Sequence, residues 1–524
     1  MTRTRFAAQV NLSMLVYLLA LVKFIFPYVV QNGVYEPHRD EFLYLAEGRH
    51  LAWGYFEVPP MISVFGYLTN LLGGSLFWIK FWPSLFGALT YFLVAKLIRL
   101  FGGGWFALVL GFIPFVLGYY VHVHFMLQPN FLEMFFWTLM AYGLINYVHT
   151  GKKSGLYIAG IALGLGMLSK YSISFFAFGL LAGLLFTKER KIFLNRHFYY
   201  AMVVALFIFM PNLVWEWVHG FPFFEQMKEL KAQQLQNVSQ WTFLADQLLF
   251  NLPCIFIWLS GLYWLGFSAA GKPYRFVGWA GILAIVIITI SHGKGYYGMP
   301  AYPVLFGFGA VCLERWTAGK LNYWRYAMVV FSITVGFYFD AVTLPFLPQP
   351  QLAAYYEDHS LFKRTGFLQW EDMKDHPLPQ DFADMLSWRE MTVKVARLYN
   401  SLDSSEKRKT MIDCDNYGEA GAIDYYGPKH GLPSPMSHGA SYLFWTPRDF
   451  NKRDIFILVT DNRKEIYEDF IKEFQYAAIA DSITNPNARE FGSYILLLKN
   501  PSQKFRKVWE DYYESLRRET SIFH

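Results

Sequence analysis

Long apolar stretches recur through the first two thirds of this chain, and no other feature limits its folding so strongly. A helix that crosses a bilayer needs about 20 mostly apolar residues, because lipid offers no partner for an unpaired backbone N–H or C=O. Eleven stretches of the 524 residues meet or approach that length, at 11–31, 82–101, 105–123, 130–148, 154–169, 171–187, 198–214, 248–267, 276–292, 300–314 and 324–342. Two of them, 154–169 and 171–187, are short, and 300–314 begins at a Pro-rich turn, so roughly 10–13 crossings are expected, with eleven the central value. Charged residues make up only 16% and hydrophobic ones 54%, against about 25% charged in soluble domains. The expected fold class is therefore a polytopic α-helical membrane protein. The net charge of +6 sits mostly in short connections, so it bears on topology and gives no basis for nucleic-acid binding. Cys254 and Cys312 lie in apolar stretches and Cys414 stands alone, a pattern without a disulfide framework or a Cys-based zinc site. The basic start Met1 to Arg5 precedes a stretch long enough to span and without a small-residue cleavage site, as in an uncleaved signal anchor.

Basic residues assign the two sides. One set of alternate connections, from Arg3 and Arg5 through Lys188, Arg190 and Lys191 to Arg315, Lys320 and Arg325, carries fifteen Lys and Arg in short stretches, and the opposite set carries seven in longer ones. The positive-inside rule then puts the N-terminus in the cytoplasm and the connections 32–81 and 215–247 on the outer face. With eleven crossings, everything after Leu344 is also outside. There the composition changes at the Pro-rich "LPFLPQPQ", Leu344 to Gln351, which reads as a linker. Beyond it "RDIFILVTDN" and "FGSYILLLKN" read as strands and "KEIYEDFIKEF" as an amphipathic helix. Two domains are expected: a membrane domain, 1–344, and an extracytoplasmic α/β domain, 345–524.

The outer connections hold unusual chemistry for mere links. The first, "HRDEFLYLAEGRHLAWGYFEVPP" from His38 to Pro60, contains Asp40, Glu41, Glu47 and Glu57 with Arg39 and Arg49. The others supply His122, His124, Gln128 and Glu133; Lys170 in "LSKYS"; Glu216, His219 and Glu225; and His292 and Lys294 in "SHGKGYYGMPAYP". Ionisable groups at membrane depth are costly and mark sites or pathways. Carboxylates gathered with lysines suit a reaction that deprotonates one partner while holding a phosphate on the other. Each residue also has a plainer reading. A DE pair is ordinarily solvated surface, Lys170 and Lys294 are placed to snorkel toward headgroups, His122 and His124 point apart on a helix, and Glu133 suits a helix start. No nucleotide-binding glycine loop is found.

Taken together, "RDEFLYLAEGRHLAWGYFEVPPM", "GLGMLSKYS", "PNLVWEWVHGFPF" and "GKGYYGMPAYP", with "YGEAGAIDYYGPKHGLP" near the C-terminus, resemble the GT-C glycosyltransferases of the protein O-mannosyltransferase class (glycosyltransferase family 39). The likeness is to the bacterial branch that includes the aminoarabinose transferase of lipid A. The resemblance implies an enzyme of the bacterial plasma membrane. It would pass a sugar, with inversion, from a polyprenyl-phosphate donor to a lipid, glycan or protein acceptor on the outer face. It makes Asp40 the base or acceptor-positioning group, with Glu41 supporting it. Lys170 and Lys294 become the grip on the donor phosphate, and Arg39, Glu133, Tyr296 and Tyr297 join the site. Glu57 matches a metal-ligand glutamate and His219 is the nearest match to a partner histidine, so a divalent ion (zinc, magnesium or manganese) is the one cofactor implied. Three departures separate this chain from the aminoarabinose transferases. Val58 replaces a phosphate-binding lysine, Leu43 replaces an arginine, and an aspartate at the start of the fourth helix is missing, with Gln128 or Glu133 in its region. Lipid A and aminoarabinose are therefore not the default substrates. The competing class is a transporter or flippase of a lipid-linked sugar, which would favour charges inside the helices, broken helices and inverted repeats. No repeat is visible in the sequence.

Overall fold

The structure is a computed structural model that describes residues 3–447, 452–461 and 470–519. Each of the eleven apolar stretches is helical, whole or in pieces. Helix α1 is Arg3–Val30; the shorter α2 (Arg39–Glu47) and α3 (Met61–Leu71) follow, then α4 (Leu76–Leu100), α5 (Trp105–Phe112), α6 (Tyr119–Val123) and α7 (Pro129–Thr150). Next come α8 (Ser154–Met167), α9 (Ile173–Leu185), α10 (Arg196–Val218), α11 (Pro222–Gln233) and α12 (Gln240–Leu249). The series closes with α13 (Ile255–Phe267), α14 (Arg275–Ile290), α15 (Pro303–Trp316) and α16 (Tyr323–Thr343). Among the described residues five helices are long and apolar enough to cross a membrane, or six if α12 and α13, bent by 53° at their junction, form one span. The expected eleven exceed that number because several stretches fold into shorter helices. The stretch 105–123, for instance, breaks at Gly118, whose φ of 99° interrupts the helix before α6. Shorter helices compensate by packing closely. A Cβ on Gly143 of α7 would lie 2.7 Å from the Gly155 carbonyl oxygen of α8, and one on Gly155 would lie 2.5 Å from that of Gly143. Such backbone contact is how small residues hold membrane helices together.

The chain continues through α17 (Gln349–Asp358), α18 (Leu361–Arg364), α19 (Gln380–Ala383), α20 (Trp388–Ser401), α21 (Ser404–Lys409), α22 (Tyr417–Tyr426) and α23 (Tyr442–Trp445). These surround a sheet of β1 (Thr410–Cys414), β2 (Met436–Ser437), β3 (Ile455–Thr460), β4 (Phe474–Ser482) and β5 (Tyr494–Pro501) in the order β2-β1-β3-β5-β4. Strands β2, β1 and β3 run parallel, and β5 and β4 extend the sheet antiparallel. Both expected strands form, as β3 and β5. β3 is buried along its whole length, which is why it reads as an unbroken apolar run. The amphipathic helix expected over 464–474 lies, up to residue 469, outside the described residues.

The main core runs through the membrane helices, and a second core fills the space between the sheet and its helices. Phe42, Leu43 and Ala46 of α2 belong to that second core, beside Trp388, Ile412, Ala420, Ile423, Ile457 and Ile495. The segment that reads as an outer loop is thus a buried helix that joins the two cores: Tyr44 and Leu45 pack in the main core, while Phe42, Leu43 and Ala46 pack against the C-terminal region, more than 300 residues away in sequence.

Candidate active site

The motif "HRDE" is a helix start. The His38 backbone N–H donates to Glu41 Oε2 at 2.8 Å, and the Asp40 N–H lies 3.2 Å from His38 Nδ1, which accepts it when the imidazole is neutral. With the neutral ring both orphan donors at the start of α2 are satisfied, and two carboxylates stand at the positive end of the helix dipole. The two acids then part company. Glu41 is fully buried. It also accepts from the Leu127 N–H at 2.7 Å and from Lys80 Nζ of α4 at 2.9 and 3.0 Å, so every side of its carboxylate is taken by the protein. Asp40 keeps 28% of its side chain open. Its Oδ2 accepts from Gln128 Nε2 at 3.0 Å and its Oδ1 from the Tyr417 hydroxyl at 2.8 Å.

From Asp40 a polar chain runs across the start of α7. Gln128 precedes Pro129, the first residue of that helix, and its extended backbone leaves the side chain outside the helical ladder. Asn130 Nδ2 donates to Gln128 Oε1 at 3.1 Å, and Lys170 Nζ donates to Asn130 Oδ1 at 2.9 Å. Lys170, in the turn between α8 and α9, also lies 3.2 Å from Glu133 Oε2. Asn130 and Glu133 share one face of α7 at i, i+3 spacing, so both reach the same lysine. Ser172 donates its hydroxyl to the other Glu133 oxygen. Above the ammonium are two rings, Tyr297 at 4.1 Å and Tyr296 at 5.6 Å, an arrangement that favours a cation. Asp40, Glu133, Lys170, Tyr296 and Tyr297, widely separated in sequence, therefore meet in one place.

Lys294, three residues before Tyr297, faces Glu371 at 3.2 Å. Burial disfavours its charge, but Tyr297, Glu371 and Asp40 outweigh that and hold its pKa above the ordinary lysine value. Glu371 is held below the usual carboxylate range: burial opposes its charge, and Lys294, Arg489 and Arg39 overcome that. Arg489 also pairs with Asp384 at 3.3 Å. The Arg39 guanidinium lies 4.4 Å over the Tyr417 ring. His38 Nε2 lies 3.6 Å from Asp384 and 3.8 Å from Asp381. Burial works against the imidazolium, but Asp381, Asp40 and Asp384 raise the His38 pKa to about 9.

The two residues of the implied metal site each have partners within the protein. Glu57 accepts from the backbone N–H of Ser441 and from its hydroxyl, the latter at 2.6 Å, and its neighbouring acid is Glu47. Burial first, and then the Glu57 charge, pushes the Glu47 pKa well above the carboxylate range; burial raises Glu57 as well, against the Ser441 bonds. His219 instead stacks on Trp215 at 4.2 Å, with its Nδ1 at 2.8 Å from the Trp215 carbonyl. Among the described residues no three His, Cys, Asp or Glu side chains are grouped to hold a metal.

Two residues central to this geometry were not singled out as site residues by sequence: Tyr417 and Asn130. Asn130 follows Gln128-Pro129 at a helix start, which offers no signal of its own. Tyr417 opens "YGEAGAIDYYGPKHGLP", where Asn416 followed by glycines at 418 and 421 does signal a capped helix lying against another backbone.

Residues 57–215 match the family described as dolichyl-phosphate-mannose-protein mannosyltransferase. That span takes in Glu57, Glu133 and Lys170 and stops short of Asp40, His219 and Lys294. No curated protein matches the chain. Among solved structures, apo ArnT from Cupriavidus metallidurans superposes with a TM-score of 0.62 at 14% identity, covering 94% of this chain and 98% of that one. The same protein bound to undecaprenyl phosphate gives a TM-score of 0.59 at 14% identity, covering 95% and 98%. At that identity the likeness is one of fold, and it extends over the helical part and the C-terminal sheet together. The family match and the shared fold both support the resemblance read in the sequence, to GT-C glycosyltransferases of the protein O-mannosyltransferase class.

Proposed function

We propose that this chain is a multi-pass glycosyltransferase of a bacterial plasma membrane. It takes a sugar from a polyprenyl-phosphate carrier on the outer face and passes it, with inversion, to a hydroxyl or phosphate of a lipid, glycan or protein acceptor. The observation that carries the reading is the polar chain Asp40–Gln128–Asn130–Lys170–Glu133. It joins one partly open carboxylate to a lysine under two tyrosine rings. The family match over 57–215 and the fold shared with an undecaprenyl-phosphate-bound ArnT support a lipid-phosphate donor.

The chemistry follows from the charges. The acceptor oxygen forms its bond to the anomeric carbon as the bond from that carbon to the carrier phosphate breaks. The acceptor proton passes to Asp40, the one acid of the pair with an open face. The leaving phosphate gains charge as it departs, and cations aimed there stabilise the transition state more than the ground state. Lys170 and Lys294 supply those cations. Without donor they rest on Glu133 and Glu371, and exchanging a carboxylate for a phosphate leaves neither ammonium unpaired. Tyr296 and Tyr297 give the sugar or the first prenyl unit an aromatic wall.

The transporter reading retains two observations in its favour. Lys23 of α1 is fully buried and interacts with Asp340 of α16, and the α12–α13 pair is bent. One experiment separates the two: purified protein is given a panel of radiolabelled polyprenyl-phosphate sugars and a membrane extract, beside Asp40→Asn. Label entering a product only with the native protein supports transfer. Carrier movement across vesicles without any product favours transport, and a near-native rate in Asp40→Asn removes Asp40 from the mechanism.

A further inference from the structure

We propose that Tyr417, on the C-terminal side of the Pro-rich linker, is a positioning residue of this active site. It holds the Asp40 carboxylate in its working orientation, so the C-terminal region takes part in turnover itself. The inference rests on the role given to Asp40 above.

Asp40 is held from two sides. Gln128, at the start of α7, donates to Oδ2 at 3.0 Å, and Tyr417, the first residue of α22, donates to Oδ1 at 2.8 Å. The Tyr417 side chain has few alternatives to this position. Asn416 caps α22 by accepting from the N–H groups of Gly418 at 2.9 Å and Glu419 at 3.1 Å, which fixes where the helix begins. Arg39 covers the ring at 4.4 Å. Two glycines set the depth of α22 against α2. A Cβ on Gly418 would lie 3.0 Å from the Trp388 ring and 3.1 Å from Arg39 Cβ, and one on Gly421 would lie 2.7 Å from Phe42 Cβ. Three residues apart, they share a face, and any side chain there would push the hydroxyl away from Asp40.

A carboxylate has about four lone-pair sites. Tyr417 and Gln128 use one on each oxygen, and the open part of Asp40 retains the sites an acceptor hydroxyl needs. Fixing both oxygens also removes rotation about the Asp40 side chain, so the lone pairs that receive the acceptor proton point one way before the acceptor arrives.

A matched control lies on the same helix. Tyr425 also sends its hydroxyl across to the N-terminal part of the chain, donating to the Gly74 carbonyl at 2.7 Å, without touching Asp40. Tyr417→Phe and Tyr425→Phe therefore each delete one hydroxyl bond across the same contact. In the full-length protein, with donor saturating, Tyr417→Phe should lower kcat by about ten- to a hundredfold, the range for losing a hydrogen bond to a charged group. Its acceptor KM and thermal midpoint should stay with those of Tyr425→Phe, which should keep native kcat. All rates are read at a temperature where the three proteins are folded. A Tyr417→Phe kcat within twofold of native overturns the proposal, as do equal losses in the two variants, which would mean that Tyr417 only docks the C-terminal region. Asp40→Asn runs alongside: if it transfers normally, the reading of the site itself is wrong, whereas an inactive Asp40→Asn beside indistinguishable tyrosine variants refutes only the role of Tyr417.

Discussion

Replacing Glu41 with Gln asks what the second acid of the DE pair does. Its carboxylate accepts from the N–H groups of His38 and Leu127 and pairs with Lys80, all within 3.0 Å and shut off from solvent. The amide preserves shape but removes the charge, which leaves the Lys80 ammonium buried and unpaired. Losing one partner of a buried pair costs about 3–5 kcal/mol, a large share of the roughly 5–15 kcal/mol that holds a typical fold together. Glu41→Gln should therefore lower the thermal midpoint in detergent sharply and take activity with it. Adding Lys80→Met removes the stranded charge and should restore more than half of the lost stability, because two matched neutral groups replace an ion pair at little cost. The measurement is intrinsic fluorescence against temperature for both variants, with transfer rates at a temperature where each is folded. A Glu41→Gln protein as stable as native would refute the buried-pair argument. A stable double variant that stays inactive would show that Glu41 takes part in the chemistry and does more than fix the loop.

Three further outcomes follow. Lys294→Ala should raise the donor KM by about tenfold or more, the loss of one charge-assisted contact, and leave the acceptor KM alone; unchanged donor dependence would remove Lys294 from the phosphate grip. His38 has its pKa raised from 6.5 to about 9 in the folded protein. Its stabilising contribution is complete below pH 6.5 and is lost as pH rises through 9, so the thermal midpoint should fall across that window. The fall should be shallower in His38→Gln, and a slope identical to native would mean another group titrates there. Glu57→Gln should fold and retain activity whether or not metal is chelated, because burial raises the pKa of both Glu47 and Glu57 and so favours the neutral carboxyl that the amide mimics. Dependence on added zinc, magnesium or manganese that vanishes in this variant would support the metal reading.

The sequence by itself determined the parts that depend on neighbouring residues. Apolar stretches dictated where helices form, since a run of that length has few other ways to satisfy its backbone. The run "RDIFILVTDN" dictated a buried strand, and charges gathered in the outer connections pointed to one functional face. Asp40, Glu133, Lys170, Tyr296 and Tyr297 were nominated from the sequence through the family resemblance, with the cost of ionisable groups beside bilayer spans as a second reason for the charged three. Tertiary structure alone decided their partners. Asp40 and Glu41 are adjacent in sequence, yet helix geometry points one carboxylate at Lys80 and the other at Gln128 and Tyr417. Packing likewise sets the partners of Glu57 and His219, which are Ser441 and Trp215. The segment around Asp40 reads as a solvated loop because many of its apolar partners, from Trp388 to Ile495, lie hundreds of residues away. Whether such a segment is loop or core depends on contacts that form only when the C-terminal sheet closes on it, and periodicity within a short window carries no record of them.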